Sequence, residues 1–166
     1  DKALGLPIYA SSGAAGADLR ANFADRGTVM LEPGARVLVN VQRELSVNPM
    51  LQAQATALEK FIGQEAGAAV RAICGLSSPE KLRELFETAG FYDVTIESVT
   101  LTLHHPDARS FAAGAMGGMH TGDKLSGKSQ SRISAAIDGF LTELGPCVEG
   151  EALRFPHCSH IVEARN

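Results

Sequence analysis

Between Ser78 and Leu103 the apolar residues change their period, and this change constrains the fold more than any other feature of the chain. Leu82, Leu85, Phe86 and Ala89 fall at i, i+3, i+4 and i+7, which is one face of a helix. Ser78 stands where an N-cap belongs. Pro79 suits the first helical position, because proline has no N–H to lose there and its φ is already close to helical. Gly90 closes the helix at a place that tolerates left-handed backbone. The period then drops to two. Val94 and Ile96 alternate with polar residues, and Val99, Leu101 and Leu103 do so in the opposite phase. The slip near Ser98 predicts a β-bulge or a bend between two strand-like runs. A helix that feeds into strands with apolar faces calls for a sheet covered by helices, the α/β class.

Other segments fit that class. Glu32-Pro33-Gly34 is a turn, and Ala35-Arg36-Val37-Leu38-Val39-Asn40-Val41 reads as a buried strand. Residues Pro49 to Cys74 are rich in Ala, Gln and Glu and read as two helices broken near Gly63. The stretch from Phe111 to Ser131 holds many Gly, Ala, Met and Ser residues and is predicted to be partly mobile. Ile133, Ile137, Phe140, Leu141 and Leu144 form another helical face, closed by Gly145-Pro146. A strand from about Ser159 to Ala164 finishes the chain.

At 166 residues the chain fits one domain with a substantial core. Its net charge of −4 argues against a binder of nucleic acid or of an anionic membrane surface, which would need a basic face. No apolar run approaches the ~20 residues of a membrane span. The first residues, Asp1-Lys2-Ala3-Leu4-Gly5, show no apolar core of a signal peptide. Cys74, Cys147 and Cys158 are scattered and odd in number, which suits reduced thiols in a cytoplasmic protein. His104-His105 and His157-Cys158-Ser159-His160 are the clustered metal-type ligands. Neighbours in a strand point to opposite faces, so neither pair readily shares one ion, and solvated or core histidines are the expectation.

Leu6-Pro7-Ile8-Tyr9-Ala10-Ser11-Ser12-Gly13-Ala14-Ala15-Gly16-Ala17-Asp18-Leu19-Arg20-Ala21 resembles the first motif of the trimeric dUTPases. Val29 to Val39 also fits that family, so the resemblance covers about residues 4–39. It implies dUTP diphosphatase chemistry, with Asp18 helping to hold Mg²⁺ against the triphosphate oxygens. The resemblance stops there. No Pro-Arg-Ser-Gly phosphate-binding turn follows Val39, and no later segment matches the family's water-activating Asp, its uracil-stacking Tyr or its C-terminal phosphate clasp. Asp18 by itself supplies neither a positioned base nor charge neutralisation for pyrophosphate release.

The longer stretch, about residues 31–166, is similar to the C-terminal part of the class I AdoMet-dependent methyltransferases. Leu31 to Val41 looks like the turn and fifth strand of that Rossmann-like fold, Leu76 to Val94 like the helix, the "AGF" turn and the sixth strand, and Phe155 to Arg165 like the last strand. The implied fold is a remnant of the methyltransferase sheet: strands five to seven with covering helices, in the order five, seven, six, with the seventh antiparallel. A β-prone segment, residues 1–30, precedes it. Methyl transfer requires donor and acceptor to be held in line. The family's Gly-rich loop for S-adenosylmethionine has one counterpart here, Gly13 and Gly16, which no buried strand precedes. The acceptor side implied by the resemblance would place Phe111, Met116, Met119 and Phe140 around an apolar pocket for an unidentified small molecule; plain core packing is the alternative.

Neither resemblance carries a complete catalytic set. The expected function is therefore that of a methyltransferase-like protein with the substrate-side half alone, inactive unless the other half is supplied. The alternatives are a non-catalytic or chimeric α/β module and a dUTPase-related protein lacking most of its motifs. In such a sheet, residues Ala35 to Val41 would form an open apolar edge. The N-terminal segment would add a strand there, or two chains would pair across it as a homodimer.

Overall fold

A computed structural model describes residues 32–118 and 121–166. Gly13, Gly16, Asp18 and Met119 lie outside the described residues, as does the expected β-prone segment of residues 1–30.

The chain enters through a turn at Glu32–Ala35, where Gly34 takes φ 81°, a conformation that favours glycine. It continues as strand β1 (Arg36–Gln42). A short 3-10 turn, Leu45–Val47, leads into helix α1 (Pro49–Phe61), and helix α2 (Gln64–Ile73) follows. The break between them falls at Gly63, whose φ of 147° interrupts the helical backbone. Helix α3 (Pro79–Thr88) begins as its sequence dictates, with the Ser78 hydroxyl accepting from the Lys81 N–H at 3.2 Å. Gly90 then turns the chain at φ 93° into strand β2 (Tyr92–His105). Helices α4 (Ala108–Gly117), α5 (Gly122–Leu125) and α6 (Gln130–Leu144) come next. A 3-10 turn, a short strand β3 (Val148–Glu149) and the long strand β4 (Ala152–Arg165) complete the order.

The sheet order is β1-β4-β2, and β3 pairs with the start of β4. β4 lies between β1 and β2 and is antiparallel to both, so β1 and β2 run in the same direction.

Two apolar clusters sit at opposite ends of the sheet. The larger gathers α1, α2, α4 and α6 around Leu58, Val70, Met116, Phe140, Leu144, Leu153 and Phe155. The smaller places Leu82 of α3 on Val94, Val162 and Ala164, with Val37, Val39 and Val41 at its margin. Side chains alternate along a strand, so Leu153 and Phe155 project from one face of β4 while Val162 and Ala164 project from the other. The covering layer therefore changes sides along the strand.

That change of side corrects the expectation for 92–105. There is one continuous strand in register with β4 from Thr95 to His105, with no interruption at Ser98. The apolar phase flips because Val94 and Ile96 pack under α3, whereas Leu103 packs under the helical layer on the other face. The register shift lies instead between Tyr92 and Thr95, beside Asp93 at φ 51°. The predicted face of α3 also narrows: Leu82 is buried and Phe86 half-buried, but Leu85 is 46% exposed and Ala89 is exposed. One sheet face takes up only the i and i+4 positions of a helix that lies across its margin. The stretch expected to be partly mobile includes most of α4, whose Phe111, Ala112 and Met116 are core residues.

Candidate functional site

The chemistry-bearing residues converge on the middle of β4, where His157-Cys158-Ser159-His160 lie between the two covering layers. Alternation sends His157 and Ser159 to one face and Cys158 and His160 to the other.

On the first face, His157 Nε2 lies 3.2 Å from Gln42 Nε2 on β1, and Asn40 Nδ2 donates to Ser159 Oγ at 3.2 Å. Burial pushes the His157 pKa below its ordinary value, because the partly desolvated ring disfavours its charged form. A neutral imidazole bonded to a carboxamide is a positioned polar group.

On the second face, His160 is 2% exposed and fully bonded. Its Nε2 faces the Ser77 carbonyl at 3.0 Å, so that nitrogen carries the hydrogen and donates. Its Nδ1 lies 3.1 Å from Ser98 Oγ and, in the neutral ring, accepts the hydroxyl hydrogen. A hydroxyl, an imidazole and an orienting carbonyl are parts of a nucleophilic device. The bond from Ser78 holds the Glu80 carboxyl below its ordinary pKa, and a backbone hydrogen bond does the same for Glu44. The Ser77–His160–Ser98 chain ties the turn before α3 to β4 and β2. Cys158 belongs to the same face, with Sγ 3.3 Å from Thr100 Oγ1.

Cys74 is buried nearby, and desolvation raises its thiol pKa, which makes it a poor nucleophile at neutral pH. Among the described residues Cys74, Cys147 and Cys158 are free, and no group of three or more His, Cys, Asp or Glu side chains is arranged to hold a metal ion.

Of the residues predicted to line an acceptor pocket, Phe111, Met116 and Phe140 do come together, as packed core. They are 4%, 1% and 0% exposed. Phe111 stacks on Phe140 at 6.4 Å between centroids and meets Phe155 edge-on at 5.4 Å. Two open surface clefts among the described residues lie elsewhere. One, of about 390 Å³, is lined chiefly by the charged face of α3, including Glu80, Arg83, Glu84 and Glu87. The other, of about 330 Å³, lies between Phe61 and Gly139 on α1 and α6.

Sequence reasoning missed Asn48. It is 1% exposed, and its carboxamide both accepts from the Cys158 N–H at 2.7 Å and donates to the Cys158 carbonyl at 3.0 Å. One side chain thus prolongs the β1–β4 ladder past the end of β1. An Asn before Pro49 signals a helix start, but nothing local signals a partner at Cys158. With Asn48 in place, the segment from Arg43 to Asn48 that leaves β1 contains no glycine, and neither does the segment from Pro106 to Ala108 after β2. These segments do not fit the approach of backbone to a nucleotide-like cofactor at the carboxyl ends of the strands.

No family model matches the chain. Several curated relatives match part of it. A deoxyuridine 5′-triphosphate nucleotidohydrolase of Roseobacter denitrificans is 62% identical over 39 residues, which is 24% of this chain and 25% of that protein. Enzymes of the same name from Bartonella quintana and Bartonella henselae are 47% and 43% identical over 51 residues, 31% of this chain and 28% of each relative. The chain spans about a quarter of the length of the curated relatives it matches. These matches support a dUTPase-like segment and bear in no way on the methyltransferase resemblance. Among the described residues, no helix is long and apolar enough to cross a membrane.

Proposed function

We propose that residues 32–166 are the acceptor-side half of a methyltransferase-type sheet and that this chain by itself transfers no methyl group. The observation that supports this reading is the strand order. The last strand sits between two strands that run opposite to it, and β2 follows a helix and a Gly90 turn. In the parent architecture an open sheet binds its ligand outside the carboxyl ends of the strands. Here the end of β1 is closed by Asn48, and the aromatic cluster that would face an acceptor is packed shut. On this reading an active enzyme would need the cofactor half to be supplied from outside residues 32–166.

A second reading rests on the partial nucleotidohydrolase matches: a dUTPase-related protein that binds a deoxyuridine nucleotide with Mg²⁺ through Asp18. Calorimetric titration of the chain with S-adenosylmethionine, and separately with a non-hydrolysable dUTP analogue plus Mg²⁺, distinguishes the readings. Silence in both titrations is the expected result. Heat from S-adenosylmethionine overturns the claim that the cofactor half is lacking, and heat from the dUTP analogue transfers the function to the second reading.

A further inference from the structure

We propose that the outer edge of β1 is a self-pairing surface, on which a second copy of this chain adds its own β1 antiparallel about a two-fold axis through Val39.

The two edges of the sheet are built differently. Along β2, a register shift at Tyr92/Thr95 bends the strand, Asp93 stands at φ 51°, Glu97 places a charge on the strand, and the Arg83 guanidinium takes the Val94 carbonyl. Bulges and charges of this kind block pairing with another strand. β1 has no bulge, and its one charged residue, Arg36, stands at its first position. Its seven residues, Arg-Val-Leu-Val-Asn-Val-Gln, run in unbroken register with β4 and contain no proline, no glycine and no carboxylate. Leu38 is 67% exposed.

The hydrogen-bond phase of β1 defines which groups are offered. Asn166 N–H donates to the Ala35 carbonyl at 3.0 Å, and Arg43 N–H donates to the Cys158 carbonyl at 3.1 Å. Odd-numbered residues therefore face β4, and the backbone groups of Arg36, Leu38, Asn40 and Gln42 point outward, where no described residue pairs with them.

Ala35 N–H points toward β4 and donates to the Glu32 carbonyl at 2.9 Å, while Gly34 N–H donates to the Asn166 carbonyl at 2.6 Å. Glu32 thus lies on the β4 side of β1.

A second copy meets the edge without conflict. With Val39 opposite its symmetry mate, Leu38 stands opposite Asn40 and Arg36 opposite Gln42, so no like charges face each other. Arg36 is already paired with Glu163 at 2.8 Å. On the other face, Val37 falls opposite Val41, which carries the apolar stripe under α3 across the junction.

The test compares the full chain with Leu38→Pro and Leu38→Lys by light scattering after size exclusion, over a wide concentration range. The Leu38 N–H points outward and its side chain touches neither core cluster, so proline there spares the β4 ladder. The wild-type chain is expected to be a dimer at high concentration, and each variant to weaken association by at least about tenfold. Amide exchange at Leu38 and Asn40 should slow as wild-type concentration rises. The proposal is overturned by a wild-type chain that stays monomeric throughout, by a dimer indifferent to both substitutions, or by Leu38 and Asn40 amides already protected in the monomer. The last result would give the edge to residues 1–31.

Discussion

The two ends of the sheet bury apolar surface in different ways. At one end four helices close over Phe155 and Leu153, with Leu58, Ala112, Ala136 and Phe140 at 0% exposure. At the other, a single helix lays Leu82 and Phe86 on Val94, Val162 and Ala164, and valines of β1 form an open margin. Among the described residues, no helix covers the opposite face at that second end, and Leu38 there is 67% exposed. The first end therefore has the anatomy of a self-sufficient core and the second that of a surface. From this contrast the two ends of one continuous sheet are expected to differ in local stability.

Several measurements would break or sharpen this contrast. The largest effect is expected for Phe140→Ala, which removes a ring packed on Phe111 from the fully buried end. Urea unfolding should show a loss of about 3–5 kcal/mol. Leu82→Ala, in the small cluster beside an open margin where neighbours can relax into the space, is expected to cost about 2–3 kcal/mol. Equal losses for the two would mean that both clusters unfold as one core and would erase the contrast. Ser78→Ala removes the cap of α3 and should cost about 1 kcal/mol, with amide exchange accelerating in α3 and leaving α6 unchanged.

The smallest effect is a dependence on pH. The folded His157 pKa is depressed below its unfolded value of roughly 6.5. Above that value the ring is neutral in both states and stability is complete. As pH falls through it toward the folded value, the unfolded chain binds the proton first and stability is lost. Melting temperature followed from pH 7.5 to 5 should fall for the wild-type chain and fall less for His157→Gln; parallel curves would dissociate the decline from this ring.

Elements whose signals are local were legible in the sequence. Ser78 and Pro79 start α3, Gly63 separates α1 from α2, and Gly90 and Gly145 end helices, because capping and positive φ are properties of one or two residues. The apolar stripe of α6 was equally readable, since Phe140 and Leu144 face a thick layer. The phase of β2 was readable but was assigned to a bend. Periodicity reports which face is covered at each residue, and a bend and a change of covering layer leave the same trace. Leu85 and Ala89 follow helical spacing, yet the sheet they face is too narrow at α3 to take them in. The pairing of Asn48 with Cys158 and of His160 with Ser77 and Ser98 spans 62 to 110 positions of sequence, and no local pattern encodes such partners.

The carboxamide that clasps Cys158 also has a chemical lifespan. Asparagine ages when the backbone nitrogen of the following residue attacks its side chain to form a cyclic imide, which opens to aspartate. Here the following residue is Pro49, whose ring nitrogen bears no hydrogen and cannot carry out that closure. The same proline that starts α1 therefore shields the clasp from conversion to a carboxylate, an acceptor unable to donate to the Cys158 carbonyl.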